Sequence, residues 1–182
     1  MKLFLTDLNK YQKYSNKSKL VLFITSQGLW AIFVYRISNK IYKSNLPKTI
    51  KKLLLFFAVF WQKIIEIFAG ISIPYSCSIG HSFYIGHFGG IIINANAVIG
   101  NNCNISQGVT IGVSGREIKR GVPIIGNNVY IGVNAVVAGK ILIENNVLIA
   151  ANSLVIHDVN HSSTMIGVPA ICINNKGSKS YI

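Results

Sequence analysis

Few side chains in this sequence can do chemistry, and they are unevenly placed. Its 182 residues include 4 histidines and 5 acids. Histidine titrates near neutral pH, with an unperturbed pKa of ~6.5, which suits it to take a proton from a weak nucleophile. Of the four, His87 stands in the glycine-flanked run Ile85-Gly-His-Phe-Gly-Gly90, where a side chain can face a groove instead of a core. His81 reads as an outward residue, and His157 and His161 as solvated surface. A second cluster lies in GVSGREIKRGVPI, residues 112–124, where Arg116, Lys119 and Arg120 accompany Glu117. Guanidinium groups hold phosphate or carboxylate through paired hydrogen bonds, so this segment is either a lid over an anion or a solvated loop. Glu117 either orients a ligand or pairs with Arg120, while Glu144 and Asp158 carry no strong catalytic signal. Cys77, Cys103 and Cys172 are odd in number and far apart, with no CxxC or mixed Cys/His spacing. Neither a disulfide framework nor a metal site is expected, and the expected location is the reducing cytoplasm.

A repeat positions these residues. A six-residue ruler meets Ile73, Ile79 and Ile85, then after two extra residues Ile93, Ile99, Ile105 and Ile111, then after eight more Ile125, Ile131, Val137, Ile143, Ile149 and Val155. Ile and Val make up only 45 of the 182 residues, so thirteen consecutive matches mark a true period. Glycine follows the key residue at Gly80, Gly86, Gly100, Gly112, Gly126 and Gly132, and Asn-Asn pairs recur at 101–102, 127–128 and 145–146. Both types tolerate the positive φ of a tight corner. The pattern predicts a mainly β domain over residues 71–182: a parallel β-helix of triangular section, three hexads to a coil, about four coils. Its two interruptions fall at His87 and at the loop 112–124, which must project from the prism; insertions in a solenoid are where function concentrates.

Residues 1–70 are of another kind. They carry 12 basic and 2 acidic residues, against 6 and 3 in the remainder, so most of the net charge of +13 lies there. Apolar spacing predicts helix between residues 11 and 70, with a turn near Asn45–Pro47, a second helical segment over 48–69 and a stop at Gly70. The uncharged runs Leu20–Tyr35 and Leu53–Gln62, of 16 and 10 residues, fall short of the ~20 that a spanning helix needs. They read as amphipathic helices over a core or as a basic, aromatic surface against anionic lipid. The N-terminus breaks its apolar run with Asp7 and Lys10 and lacks a signal-peptide core. No nucleic-acid-binding motif is present, so a nucleic-acid partner is not expected.

Ala31–Arg36 (AIFVYR), Phe83–Gly90 (FYIGHFGG), Ser106–Gly112 (SQGVTIG), the approach Arg120–Ile125 and GVPA at 167–170 resemble the hexapeptide-repeat acyltransferases, and within them the serine acetyltransferase branch, over residues 20 to 170. The resemblance implies a left-handed β-helix with an N-terminal α-helical segment. It further implies a homotrimer with acetyl-CoA in grooves between neighbouring prisms, and His87 as general base in direct transfer. Gly112, Gly132, Lys140, Ala150 and Ala151 are the coenzyme contacts this implies, and Arg116, Arg120 and Gly86 the acceptor contacts. Gly86 stands where the serine enzymes normally have Asp, and Arg120-Gly121 where they have Arg-His. Burying the charges of a free amino acid without partners costs several kcal/mol. These departures move the expectation toward acetylation of a saccharide hydroxyl in surface-polysaccharide biosynthesis, similar to the colanic-acid type. Serine O-acetylation is the alternative, and a non-catalytic β-helix scaffold the reading outside enzymes. A peripheral contact at the inner face of the membrane is open to residues 1–70.

Overall fold

The computed structural model describes residues 2–182. Four helices precede the repeat: α1 (Lys2–Lys13), α2 (Lys19–Thr25), α3 (Gln27–Tyr42) and α4 (Lys48–Ala69). The first begins nine residues before the helical pattern was expected to start. Ser18, whose hydroxyl accepts from the Val21 N–H, and Ser26 divide the stretch that the apolar spacing reads as continuous. Serine competes for backbone hydrogen bonds, which makes it a cap more readily than an interior residue. Gly70 ends α4 in the left-handed region at φ 61°, a conformation that glycine enters without a Cβ penalty.

The strands follow as coils. The first holds β1 (Ile71–Ser72), β2 (Ser78–Ile79) and β3 (Tyr84–Ile85); the second β4 (Ile91–Ile93), β5 (Val98–Ile99) and β6 (Asn104–Ile105). The third holds β7 (Thr110–Gly112), β8 (Ile124–Ile125) and β9 (Tyr130–Ile131), and the fourth β10 (Val136–Ala138), β11 (Leu142–Ile143) and β12 (Leu148–Ile149). A partial fifth contains β13 (Leu154–Val155) and β14 (Thr164–Gly167), and antiparallel β15 (Ala170–Asn174) folds back on β14. Stacking makes three parallel faces: β1-β4-β7-β10-β13, β2-β5-β8-β11, and β3-β6-β9-β12-β14. We call them faces A, B and C. Every third ruler position stacks in the adjacent coil, as Ile85 over Ile105 over Ile131 over Ile149 shows. All thirteen are at most 5% exposed. A coil alone could not bury them, so each face is stable through its neighbours.

At the edge between faces B and C, the second residue of each Asn pair (Asn102, Asn128, Asn146) takes φ near 57°. Their side chains form a ladder: Asn102 donates to Asn128 at 2.8 Å and Asn128 to Asn146 at 2.9 Å. The helices close the exposed end of the first coil, whose backbone groups would otherwise be an open sheet edge. Arg36 forms a two-point ion pair with Asp7 and donates to the carbonyl of Ile79, while Asp7 accepts from the Phe83 N–H. The Tyr11 hydroxyl donates to the Ile85 carbonyl and accepts from the Ile85 N–H; Tyr35 does the same for Cys77 and Ile79.

Candidate active site

His87 occupies the edge between faces C and A in the first coil, between β3 and β4. Local structure fixes the corner from both sides. Upstream, Tyr11 holds Ile85 by both backbone groups, and the rings of Tyr11 and Tyr14 lie 4.5 and 4.7 Å from that of Tyr84. Downstream, the Gly89 N–H donates to the Ala69 carbonyl at 2.8 Å and the Ile91 N–H to the Gly70 carbonyl at 3.0 Å, which satisfies carbonyls at the end of α4. The imidazole is exposed beside Phe88, itself 57% exposed. An accessible imidazole on a braced backbone is what a general base requires.

The same edge carries Ser106-Gln107 in the second coil, Gly132 in the third, and Ala150 and Ala151 in the fourth. With strands ~4.8 Å apart, Gly132 lies roughly 10 Å and Ala150 roughly 14 Å along the edge from His87. Three of the five expected coenzyme contacts therefore share one line with the expected base. Gly112 and Lys140 do not: they lie on the edge between faces A and B, with Arg116 and Arg120.

There the chain from β7 to β8 forms a hairpin, closed by paired bonds between Ser114 and Gly121 and tipped by a 3₁₀ turn over Glu117–Lys119. A concavity of about 500 Å³ lies on one side of it, lined by Asn94, Asn96, Glu117 and Arg120 among others. Glu117 does not pair with Arg120. Among the described residues the ion pairs are Arg36–Asp7 and Lys63–Glu66, so Glu117 and Arg120 bring opposite, uncompensated charges to one concavity. Asn94 and Asn96 were not singled out from the sequence. The signal was available, since the ruler stacks the corner after Ile93 on the corner after Ile111, where the hairpin begins.

Of the other histidines, His81 is exposed and meets Ser82. His161 faces the amide of Asn146, and His157 joins the Asp158 and Ala170 carbonyls. Burial pushes the Cys77 thiol up to about 12 and the Cys103 thiol up to about 11, which leaves neither as a thiolate nucleophile at neutral pH.

A triangular prism of hexads with an accessible histidine on a glycine corner defines an acyltransferase of the hexapeptide-repeat class. The model of the bacterial transferase hexapeptide family, six repeats, matches residues 123–157. A serine acetyltransferase of Bacillus licheniformis is 34% identical over 163 residues, covering 90% of this chain and 72% of that protein. The chain therefore belongs to the serine acetyltransferase family. Among solved structures, the Neisseria gonorrhoeae serine acetyltransferase in complex with serine superposes with a TM-score of 0.81 at 31% identity, over 95% of this chain and 68% of that one. The Brucella abortus serine acetyltransferase in complex with coenzyme A gives 0.82 at 26%, over 97% and 68%. The β-helix is accordingly left-handed.

These relatives overturn the expectation of saccharide acetylation and favour the serine alternative. Of the two glycines behind that expectation, Gly121 has a local packing cause. A Cβ at Gly121 would stand 2.7 Å from the Lys140 Cβ, so the base of the hairpin rests on Lys140 and admits no side chain there. A Cβ at Gly86 would meet the ring of Tyr84 at 3.3 Å. Gly121 answers to its neighbour, and glycine there does not report which acceptor is used; at Gly86 a side chain needs only a small shift of the Tyr84 ring.

Proposed function

We propose that this protein transfers the acetyl group of acetyl-CoA to the hydroxyl of L-serine, giving O-acetylserine and free CoA. The observation that carries the reading is the 34% identity to a serine acetyltransferase over 90% of the chain. His87 accepts the serine hydroxyl proton as the oxygen attacks the thioester carbonyl. As the tetrahedral adduct collapses, the C–S bond breaks and the proton passes from His87 to the departing sulfur. No residue is acylated, which agrees with the high thiol pKa values of Cys77 and Cys103.

A serine zwitterion needs one partner of each sign, because unpaired charge is costly to bury. Arg120 supplies the cation for its carboxylate, and Glu117 the anion for its ammonium. The thioester arm of the coenzyme runs along the edge of Gly132, Ala150 and Ala151, where the side chains are small and Ala151 is exposed. Gly112, Lys140 and Arg116 face it from the hairpin edge, with the basic residues toward its phosphates. His87 and the hairpin stand on different edges of one prism. One site therefore combines His87 of one copy with the hairpin of the next, and a cyclic trimer closes that arrangement.

The test is thiol release from acetyl-CoA by purified protein. Turnover that depends on L-serine, with O-acetylserine as product, is the expected result. Hydrolysis unaffected by serine, or no turnover by folded protein, would reject the reading.

A further inference from the structure

We propose that α4 and the basic turns of residues 1–70 form a surface that docks onto an anionic lipid bilayer. The orientation of α4 is the starting observation. Its buried residues are Ala58, Ile65 and Ala69, two of them small. Its large apolar residues Leu53, Phe56, Phe57, Phe60, Ile67 and Phe68 are 58 to 79% exposed and recur at helical spacing along one side. A helix covering a soluble core turns its broad apolar face inward; α4 turns it outward.

Charge identifies the occupant. Residues 1–70 contain two acids, and both are engaged internally: Asp7 is fully buried against Arg36, and Glu66 is held by Lys63, Gln62 and Ser72. The exposed charge of the segment is otherwise lysine, including Lys48 and Lys52 on the first turns of α4 and Lys17 and Lys19 at the start of α2. A second copy laid against this face would bring lysine to lysine without a counter-charge. A bilayer bearing anionic headgroups accepts phenylalanine and tryptophan at its acyl boundary, while lysines extend to the phosphates. The contact is peripheral, since among the described residues no single helix is long and apolar enough to cross a membrane. The bent pair α2–α3 passes by length and composition, but α3 buries Leu29, Ile32 and Tyr35 within the fold.

The experiment floats the full chain with phosphatidylcholine vesicles, with and without phosphatidylglycerol, at low and high salt. We expect binding to the anionic vesicles alone, lost at high salt and accompanied by a blue shift of tryptophan emission. Phe56→Ser with Phe60→Ser abolishes flotation without altering the sedimentation coefficient. Lys48→Gln with Lys52→Gln weakens it by about fivefold per lysine, and arginine at both positions restores it. Three outcomes overturn the inference. One is no flotation at low salt, and another is equal binding to neutral vesicles. The third is a smaller assembly in the phenylalanine variants with vesicle binding intact, which would assign the face to a second copy. The readout needs no turnover, so an inactive protein that floats leaves this inference standing, and an active one that does not float ends it.

Discussion

At the scale of single residues, His87 carries the sharpest expectation. His87→Ala lowers kcat by ~10²–10⁴-fold while leaving acetyl-CoA affinity nearly unchanged, because the imidazole acts in the transition state more than in coenzyme binding. Steady-state kinetics beside equilibrium titration of the coenzyme separates the two, and full activity in the variant ends the assignment. His157 offers a test of pH dependence. Its two ring nitrogens meet the Asp158 and Ala170 carbonyls, and only the protonated ring donates to both, so its pKa is raised above the ordinary histidine value. Folded protein then binds that proton more tightly than unfolded protein does. The resulting stabilisation is full below the unfolded pKa of ~6.5 and lost as pH rises through the higher folded value. Thermal melts across neutral pH should therefore fall more steeply for the native chain than for His157→Phe. His87 was legible because its flanking glycines break a regular hexad. The tie of His157 was not, since Ala170 reaches it through a chain reversal that no local pattern announces.

Elements join through a small number of polar clamps, and the strongest is Arg36 with Asp7. Both side chains are at most 5% exposed, and together they hold α1, α3 and the first coil. Removing one partner leaves the other charged and buried, a loss of about 3–5 kcal/mol. Arg36→Met should therefore lower the urea midpoint by a large fraction of the total stability. An unchanged midpoint would show the clamp to be dispensable. Arg36 was visible within AIFVYR, whereas Asp7 was read only as an interruption of an apolar run. Their pairing spans 29 residues, and spacing alone does not reveal it. The hairpin shows the same division. Its projection followed from the eight-residue gap in the ruler, but the contact of Gly121 with Lys140 is tertiary, and Gly121 was misread as a mark of acceptor choice for that reason. Gly121→His must displace Lys140 or open the hairpin. We expect it to impair acetyl transfer despite restoring the residue normal in the serine enzymes, and a gain in activity would contradict the packing account.

On the scale of the whole molecule, the separation of His87 from the hairpin predicts complementation. His87→Ala and Arg120→Ala are each expected to be nearly inactive alone. Refolded together at equal amounts into mixed trimers, they should regain about one quarter of native activity, the share of interfaces that join two intact halves. No recovery would place both residues in one copy's site, and a monomer in sedimentation would remove the premise. The prism itself was almost wholly legible, because thirteen aliphatics at one interval leave little freedom of fold. The homotrimer expectation came from the family resemblance alone, because a repeat encodes contacts along its axis and says little about its flanks. That axial regularity makes the molecule a measuring stick. Each coil raises the edge by the same ~4.8 Å, so the distance from His87 to any corner below it is a whole number of graduations. Excising one coil in register would bring the lower corners one graduation nearer to the His87 imidazole without rotating any face, and a carrier arm fitted to the native scale would then arrive one notch too long.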